Sequence, residues 1–356
     1  MGLHAQRNSQ EGLHDPMITL SGQNAAFLAN MGVKADGWHR LPADASPRRY
    51  YRNSETPFGP ALLMVTGAEA PDFKLYVQIG RHLENLGLSA PKIYAEDASL
   101  GLALIEDFGD QTYTKLLNDG WDEAALYELA IDALAALHKH PKATGVVVPF
   151  YDMEPLIKEA NLLSEWFAPE VQRDANLATF GTQYEALWRD ALSNVATRQD
   201  TLVLRDFHVD NLILLNDRSG AACCGLLDFQ DGLIGSFAYD VMSLTQDARR
   251  DLSDGLESHL LQRYFNLRPE LDQKSFLQDF NILAAQRHAK IAGIFVRLSR
   301  RDGKDTYLKH VPRVLRLLDS ALHAAGLDKL KELLDTSLPG WRDFKPAPNP
   351  KGANNS

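Results

Sequence analysis

Cysteine is scarce: this 356-residue chain has two, Cys223 and Cys224, adjacent in sequence. Neighbouring thiols make a poor structural disulfide, and two sulfurs alone do not complete a zinc site. The pair reads as small apolar filling on a strand, in a protein suited to a reducing cytoplasm. Long apolar runs are missing too. Nothing approaches the roughly 20 residues that span a bilayer, so no membrane partner is expected. Basic charge is in deficit: 37 Lys and Arg face 47 Asp and Glu, a formal net charge of −10. A nucleic-acid backbone demands a basic face, so nucleic acid is not expected as a partner either. Residues 1–16 are polar and lack an apolar core, which predicts a disordered leader and no signal peptide. No internal repeat is visible, which sets aside solenoids and propellers.

What the chain does have is 45% hydrophobic residues, enough for a large core and more than one lobe. Ser21 as N-cap and Gly32 as stop predict a helix over 21–31. Residues 38–41, 49–52 and 61–65 read as strands separated by the turn formers Asp44, Ser46, Pro47, Asn53, Pro57 and Gly59. A helical period covers 73–86, and strands follow at 93–96 and 102–106. Beyond Asp110 the pattern turns helical. A short helix ends at 116–118, Asp122 caps a helix running to His138, and others cover 155–167 and 179–195. A β interruption over 201–228 precedes helices at 252–265, 276–298, 307–324 and 327–333. The proline-rich tail, 346–356, is expected to be disordered. The fold class is α+β: a β-rich lobe over 17–107, then a larger, mainly helical lobe over 108–345.

Two phrases within the β interruption carry chemistry. One is Leu204-Arg205-Asp206-Phe207-His208-Val209-Asp210-Asn211; the other is Gly225-Leu226-Leu227-Asp228-Phe229-Gln230-Asp231. Alone, Asp206 reads as a loop residue bonding its own backbone, Asn211 as a turn residue and Asp228 as a strand-end cap. Together they supply a carboxylate that can accept a hydroxyl proton, plus an amide and a carboxylate that can hold magnesium on phosphates. Asp231 follows Asp228 closely enough to reach a second metal or an acceptor hydroxyl. His208 reads as a brace for the loop backbone. Asp240, opening an apolar helical run, reads as a second brace, acting through Arg205.

The spacing of Asp206, Asn211 and Asp228 is similar to the D-x-x-x-x-N and DFG elements of kinases. With Ala238-Tyr239-Asp240, these phrases resemble the aminoglycoside/choline phosphotransferase superfamily. Further phrases narrow the likeness: Ser46-Pro47-Arg48-Arg49-Tyr50-Tyr51-Arg52, Leu104-Ile105-Glu106-Asp107-Phe108-Gly109-Asp110, Ser243-Leu244-Thr245-Gln246-Asp247-Ala248-Arg249-Arg250-Asp251, and Ile291-Ala292-Gly293-Ile294-Phe295 with Arg300-Arg301-Asp302-Gly303-Lys304. They resemble bacterial N-acetylmuramate/N-acetylglucosamine anomeric kinases, over about residues 25–338. The resemblance implies a two-lobed protein-kinase-like fold with ATP between the lobes. It also implies magnesium on Asn211 and Asp228, Asp206 as catalytic base, and a small-molecule sugar as acceptor. Aminoglycoside or choline phosphotransfer, or nucleotide binding by a silent pseudokinase, are the alternatives.

Two departures stand out. Leu204 occupies the position where many members carry His, so orientation of Asp206 must come from elsewhere. The third strand, 61–65, lacks the usual phosphate-binding lysine. Arg49, Arg52 or Lys74 are the substitutes to consider, with Arg49 preferred, and Ser46 in the turn Asp44-Ala45-Ser46-Pro47 faces the phosphates. Glu106 begins the stretch that contacts adenine. Arg249, Arg250, Arg287, Lys290, Arg297, Arg300 and Arg301 concentrate positive charge in an acidic chain, and surface ion pairing accounts for most such residues. Arg249 and Arg287 are the acceptor-site candidates, a cation there suiting the lactyl carboxylate of N-acetylmuramate.

Overall fold

The computed structural model describes residues 17–42, 48–67, 70–172 and 177–348. The expected leader, the turn carrying Ser46, and the tail from residue 349 onward lie outside the described residues. The chain divides into two compact units. One holds the chain up to Arg81 together with Pro91–Gly109; the other holds His82–Ala90 and the chain from Asp110 onward.

The smaller unit is built on an antiparallel sheet of β1 (His39–Arg40), β2 (Arg49–Thr56), β3 (Gly59–Val65), β4 (Ile93–Asp97) and β5 (Leu102–Glu106), in the order β1-β2-β3-β5-β4. All five expected strands are present, and β2 runs on to Thr56 in a hairpin pairing Arg52 with Leu62. Ala61, Leu63, Leu102 and Leu104 meet Phe27 and Leu28 of helix α1 (Gly22–Ala29) and Trp38 in one buried cluster. Ser21 precedes α1 as expected but makes no side-chain cap hydrogen bond. Helix α2 covers Pro71–Asn85.

The larger unit is mainly helical. Its helices are α3 (Tyr113–Asn118), α4 (Glu123–Lys139), α5 (Met153–Leu162), α6 (Ala168–Val171), α7 (Leu177–Ala191), α8 (Ala238–Thr245), α9 (Leu256–Leu267), α10 (Gln273–Asp302), α11 (Val311–Ala324) and α12 (Asp328–Ser337). Asp122 caps α4 as expected, accepting from the Ala125 amide at 3.2 Å. Helix α10 is the 30-residue axis of the unit and packs on α5, α8 and α11. It outruns the predicted 276–298 because Asp272 caps its start and Gly303, in the left-handed region at φ 68°, closes its end. The helix expected over 155–167 is α5 followed by a π-helical turn, Leu163–Phe167. Helix α9 begins later than expected, at Leu256, because Gly255 sits at φ 80°.

The predicted β interruption resolves into β6 (Thr201–Val203), β7 (Leu212–Leu214) and β8 (Cys224–Leu226), and β9 (Leu233–Gly235) follows. β6 pairs with β9 and β7 with β8, both antiparallel. Ser89 joins this region: its carbonyl accepts from the Leu226 amide at 2.7 Å and its hydroxyl donates to Ala222 O at 2.6 Å. Cys224 is buried on β8, and burial pushes its thiol up to about 12, so it stays protonated as the filling that its place in the sequence suggested. Among the described residues no helix is long and apolar enough to cross a membrane.

Candidate active site

The β7–β8 ladder brings the two opening phrases together. Leu212 pairs with Leu226, and one step beyond, the Leu227 amide donates to Asn211 O at 3.0 Å. Asn211 and Asp228 therefore flank the same end of the ladder. The Asn211 side-chain nitrogen donates to Asp206 O at 2.9 Å, which orients its amide oxygen for another partner. Asp228 leaves β8 at φ 57°, a left-handed conformation that Asp tolerates better than most residues. Gln230 Nε2 donates to Asp228 Oδ1 at 2.8 Å. Among the described residues no cluster of three or more His, Cys, Asp or Glu forms a metal cage. One amide oxygen and one carboxylate are what magnesium uses when phosphates and water complete its shell.

Asp206 is held by the backbone of its own loop. Asp240, buried at the start of α8, accepts from the Leu204 amide at 2.6 Å and the Arg205 amide at 2.9 Å. Burial pushes the Asp240 carboxyl up to about 7, against the pull of those two amides. The expected brace through Arg205 is thus made by its backbone amide, together with that of Leu204. It also supplies the orientation that Leu204 cannot. Arg205 itself stands at φ 69°, a strained turn that two hydrogen bonds to Asp240 hold in place.

The Arg205 side chain runs elsewhere. Its guanidinium pairs with Glu159 of α5, donates to Asp231 O at 3.2 Å and lies 5.6 Å from the Tyr151 ring centre. Lys290 of α10 donates to the same Glu159 carboxylate at 2.9 Å, and Tyr151 donates to it as well. Burial pushes Glu159 up, but Lys290 and Arg205 overrule it and hold the carboxyl at about 2. Glu159 is thus a buried permanent anion that joins α5, the Asp206 loop and α10. Sequence reasoning passed it over. Its one signal is a lone acid on the face of α5 that buries Leu156 and Ala160.

A cavity of about 150 Å³ in the larger unit is lined by Asp206, His208, Asp247, Ala248, Arg249, Arg287, Lys290, Ile291, Ile294 and Phe295. Three of its buried polar atoms lack hydrogen-bond partners: His208 Nδ1, Asp247 Oδ2 and Arg287 Nη1. Burial lowers the pKa of His208, so its ring is neutral near pH 7. The His208 ring lines the cavity with Nε2 3.5 Å from Asn211 Nδ2, and the residue's loop-backbone bond, its carbonyl accepting from the Asn211 amide at 2.9 Å, is made by main chain and not by the ring that was expected to brace the loop. Buried polar groups need hydrogen-bond partners, so a cavity lined with these three suits a polar ligand.

The remaining predicted residues fall in different places. Arg287 and Arg249 both line the cavity; Arg249 is exposed at its edge, 3.4 Å from Asp210 Oδ2 and 6.0 Å from the Tyr307 ring centre. Asp231 is exposed and does not line the cavity. Arg300 pairs with Glu170 and Arg301 with Asp302, the ion-pair fate expected for most of the basic group. In the smaller unit Arg52 pairs with Asp107 at 2.6 Å, and Arg48 is buried, 2.6 Å from Asp72 and 5.5 Å from the Tyr76 ring centre. Arg49 and Lys74 are exposed. Glu106 ends β5, its carboxylate accepting from the Lys92 amide at 3.2 Å.

The phosphotransferase enzyme family matches residues 37–274. A Caulobacter vibrioides N-acetylmuramate/N-acetylglucosamine kinase is 38% identical over 271 residues, covering 74% of this chain and 74% of the relative. The Pseudomonas aeruginosa protein of the same name is 34% identical over 328 residues, covering 86% and 92%. An ADP-bound aminoglycoside phosphotransferase superposes with a TM-score of 0.53 at 15% identity, over 84% of this chain and 98% of the other. A choline/ethanolamine kinase family protein from Mesorhizobium loti gives 0.55 at 13%, over 84% and 92%. The fold is that of the protein-kinase-like phosphotransferases.

Proposed function

This chain belongs to the phosphotransferase enzyme family, and on that premise we propose that it is an ATP- and magnesium-dependent kinase of amino sugars, acting in the cytoplasm on the C1 hydroxyl of N-acetylmuramate or N-acetylglucosamine. The observation that carries this reading is the placement of Asp206 in a cavity whose other polar walls, Asp247, His208 and Arg287, suit a polyhydroxylated ligand. Three cationic side chains line it against two carboxylates, which disfavours a polycationic aminoglycoside. Phe295 is its one aromatic wall, too little for a choline cage.

The residues divide the work. Asp206 orients the acceptor hydroxyl and takes its proton late in transfer. Asn211 and Asp228 hold magnesium, which neutralises phosphate charge when bound. Arg48 and Arg52 already face carboxylates, so Arg49 is the cation of β2 left to meet the nucleotide phosphates, with Ser46. The backbone at Glu106 reads adenine. Asp231, exposed beside Asp228, serves acceptor or second-metal contacts at the rim.

Incubation with magnesium-ATP and N-acetylmuramate, N-acetylglucosamine, choline or kanamycin tests the proposal. The expected result is a phosphorylated sugar by mass spectrometry, with the new phosphorus coupled to the anomeric proton. A product from choline or kanamycin alone overturns it. Asn211→Ala and Asp228→Ala are expected to abolish the magnesium dependence of nucleotide binding. Calorimetric titration with and without magnesium reads this, and an unchanged magnesium effect removes both residues from the metal site.

A further inference from the structure

We propose that Arg287 is the specificity-determining residue of the acceptor cavity: its guanidinium reads a carboxylate on the sugar and favours the acidic amino sugar over its neutral counterpart. This rests on the amino-sugar reading above and assigns its preference to one side chain. Arg287 is 6% exposed, yet it forms no ion pair or hydrogen bond with a described residue, and its Nη1 is buried without a partner. Three other cations of α10 are paired, and Arg297, whose Nε is also buried without a partner, is only half-buried and does not line the cavity. Lys290 is 2.9 Å from Glu159, Arg300 is 2.6 Å from Glu170 and Arg301 is 2.7 Å from Asp302.

The carboxylates around Arg287 do not answer it. Asp240 feels its charge, but both Asp240 oxygens are engaged by the amides of Leu204 and Arg205. Asp247 lines the same cavity and is 3% exposed; its Oδ1 accepts from the Arg249 amide at 2.7 Å, while Oδ2 has no partner. A buried cation and a buried carboxylate oxygen thus line one cavity, and neither satisfies the other. Desolvated charges are normally paired, and leaving one unpaired is strongly unfavourable. One kind of ligand repairs both: hydroxyl donors for Asp247 beside an anionic oxygen for Arg287. A planar carboxylate matches the guanidinium fork, which can donate two parallel hydrogen bonds to it. A hexose bearing a carboxylic acid substituent has both features; the neutral N-acetyl hexosamine has only the first. Ile291, Ile294 and Phe295 on the same helix form an apolar wall suited to the methyl groups of such substituents.

The test measures kcat/KM for N-acetylmuramate and N-acetylglucosamine with the wild-type chain, Arg287→Met and Arg287→Lys. Loss of a charge-assisted contact predicts a fall of about tenfold to a hundredfold for the acidic sugar in Arg287→Met. The neutral sugar is expected to fall by clearly less, so that the ratio of the two kcat/KM values drops, since it offers the guanidinium no carboxylate. Arg287→Lys is expected to fall between, because a point charge keeps attraction and loses the fork. The melting temperature of Arg287→Met is expected to hold or rise, since an uncompensated buried charge is removed. An equal fall for both sugars marks a contact to the transferred phosphoryl group or a structural role, and overturns the proposal. So does an unchanged ratio, or a lowered melting temperature that accompanies loss on both sugars. If the wild-type chain phosphorylates neither sugar, the amino-sugar reading fails and this one with it. Activity on both sugars with an unchanged ratio defeats the Arg287 assignment alone.

Discussion

Asp206→Asn is expected to lower turnover by roughly a hundredfold to ten-thousandfold, the range that loss of a positioned general base produces, while nucleotide binding is unchanged. The substitution is unusually clean at this position. The loop is held at residue 206 by main-chain groups: the amide donates to Leu204 O at 2.8 Å, and the carbonyl accepts from Asn211 Nδ2 at 2.9 Å. The brace from Asp240 reaches the amides of Leu204 and Arg205 and does not touch the Asp206 side chain. Exchanging a carboxylate oxygen for an amide nitrogen therefore removes the proposed proton acceptor and leaves the loop and the Asn211 side chain in place. Steady-state turnover with sugar acceptor, measured beside calorimetric titration of magnesium-nucleotide, separates the two effects. Turnover within a few fold of wild type eliminates Asp206 as the base. A parallel loss of nucleotide binding reassigns it to the metal site.

The candidate reaction centre was legible because it is local. Asp206, Asn211 and Asp228 lie within one short stretch, and a two-stranded ladder brings its ends together. The strand and helix order was legible for a similar reason: short apolar runs bounded by turn formers on β3 and β5 and helical spacing on α4 and α10 are patterns of neighbouring residues. The candidate acceptor cavity was legible only in part. Asp247, His208 and Arg287 come from three separate segments, and nothing in the chain announces that they meet. Arg287 was already an acceptor-site candidate beside Arg249, within a basic group expected mostly to form surface ion pairs; burial and the absence of a described partner set it apart from Arg300 and Arg301. Glu159 was invisible because one acid in an amphipathic helix reads as a solvated edge. Its two cationic partners come from the Asp206 loop and from α10. The π-helical turn after α5 had no signature, since an extra residue per turn is set by what packs against it and not by propensity.

That turn explains a phrase that sequence alone left as resemblance. Gly293 lies inside α10, where glycine ordinarily weakens a helix by about 1 kcal/mol relative to alanine. A Cβ at this position would stand 2.2 Å from both the carbonyl carbon and the carbonyl oxygen of Leu162, and 2.7 Å from the Leu162 Cβ. The first two are backbone atoms at the junction of α5 and the π-helical turn Leu163–Phe167 and the Cβ is fixed to that backbone, so no side-chain rotation relieves the clash. Gly293→Ala is therefore expected to destabilise the protein despite the helix-favouring change, by about 3 kcal/mol or more, the upper range for overpacking. The consequence reaches the site, because Arg287, Lys290, Ile291, Ile294 and Phe295 lie on the same helix and line the cavity. Pushing α10 off α5 also stretches the Lys290–Glu159 contact, now 2.9 Å. The expected signature is a lowered melting temperature together with a raised KM for the sugar and an unaltered KM for the nucleotide. A melting temperature equal to wild type shows that α10 and α5 part without cost and removes the packing argument. A loss confined to nucleotide KM places the strain away from the acceptor wall.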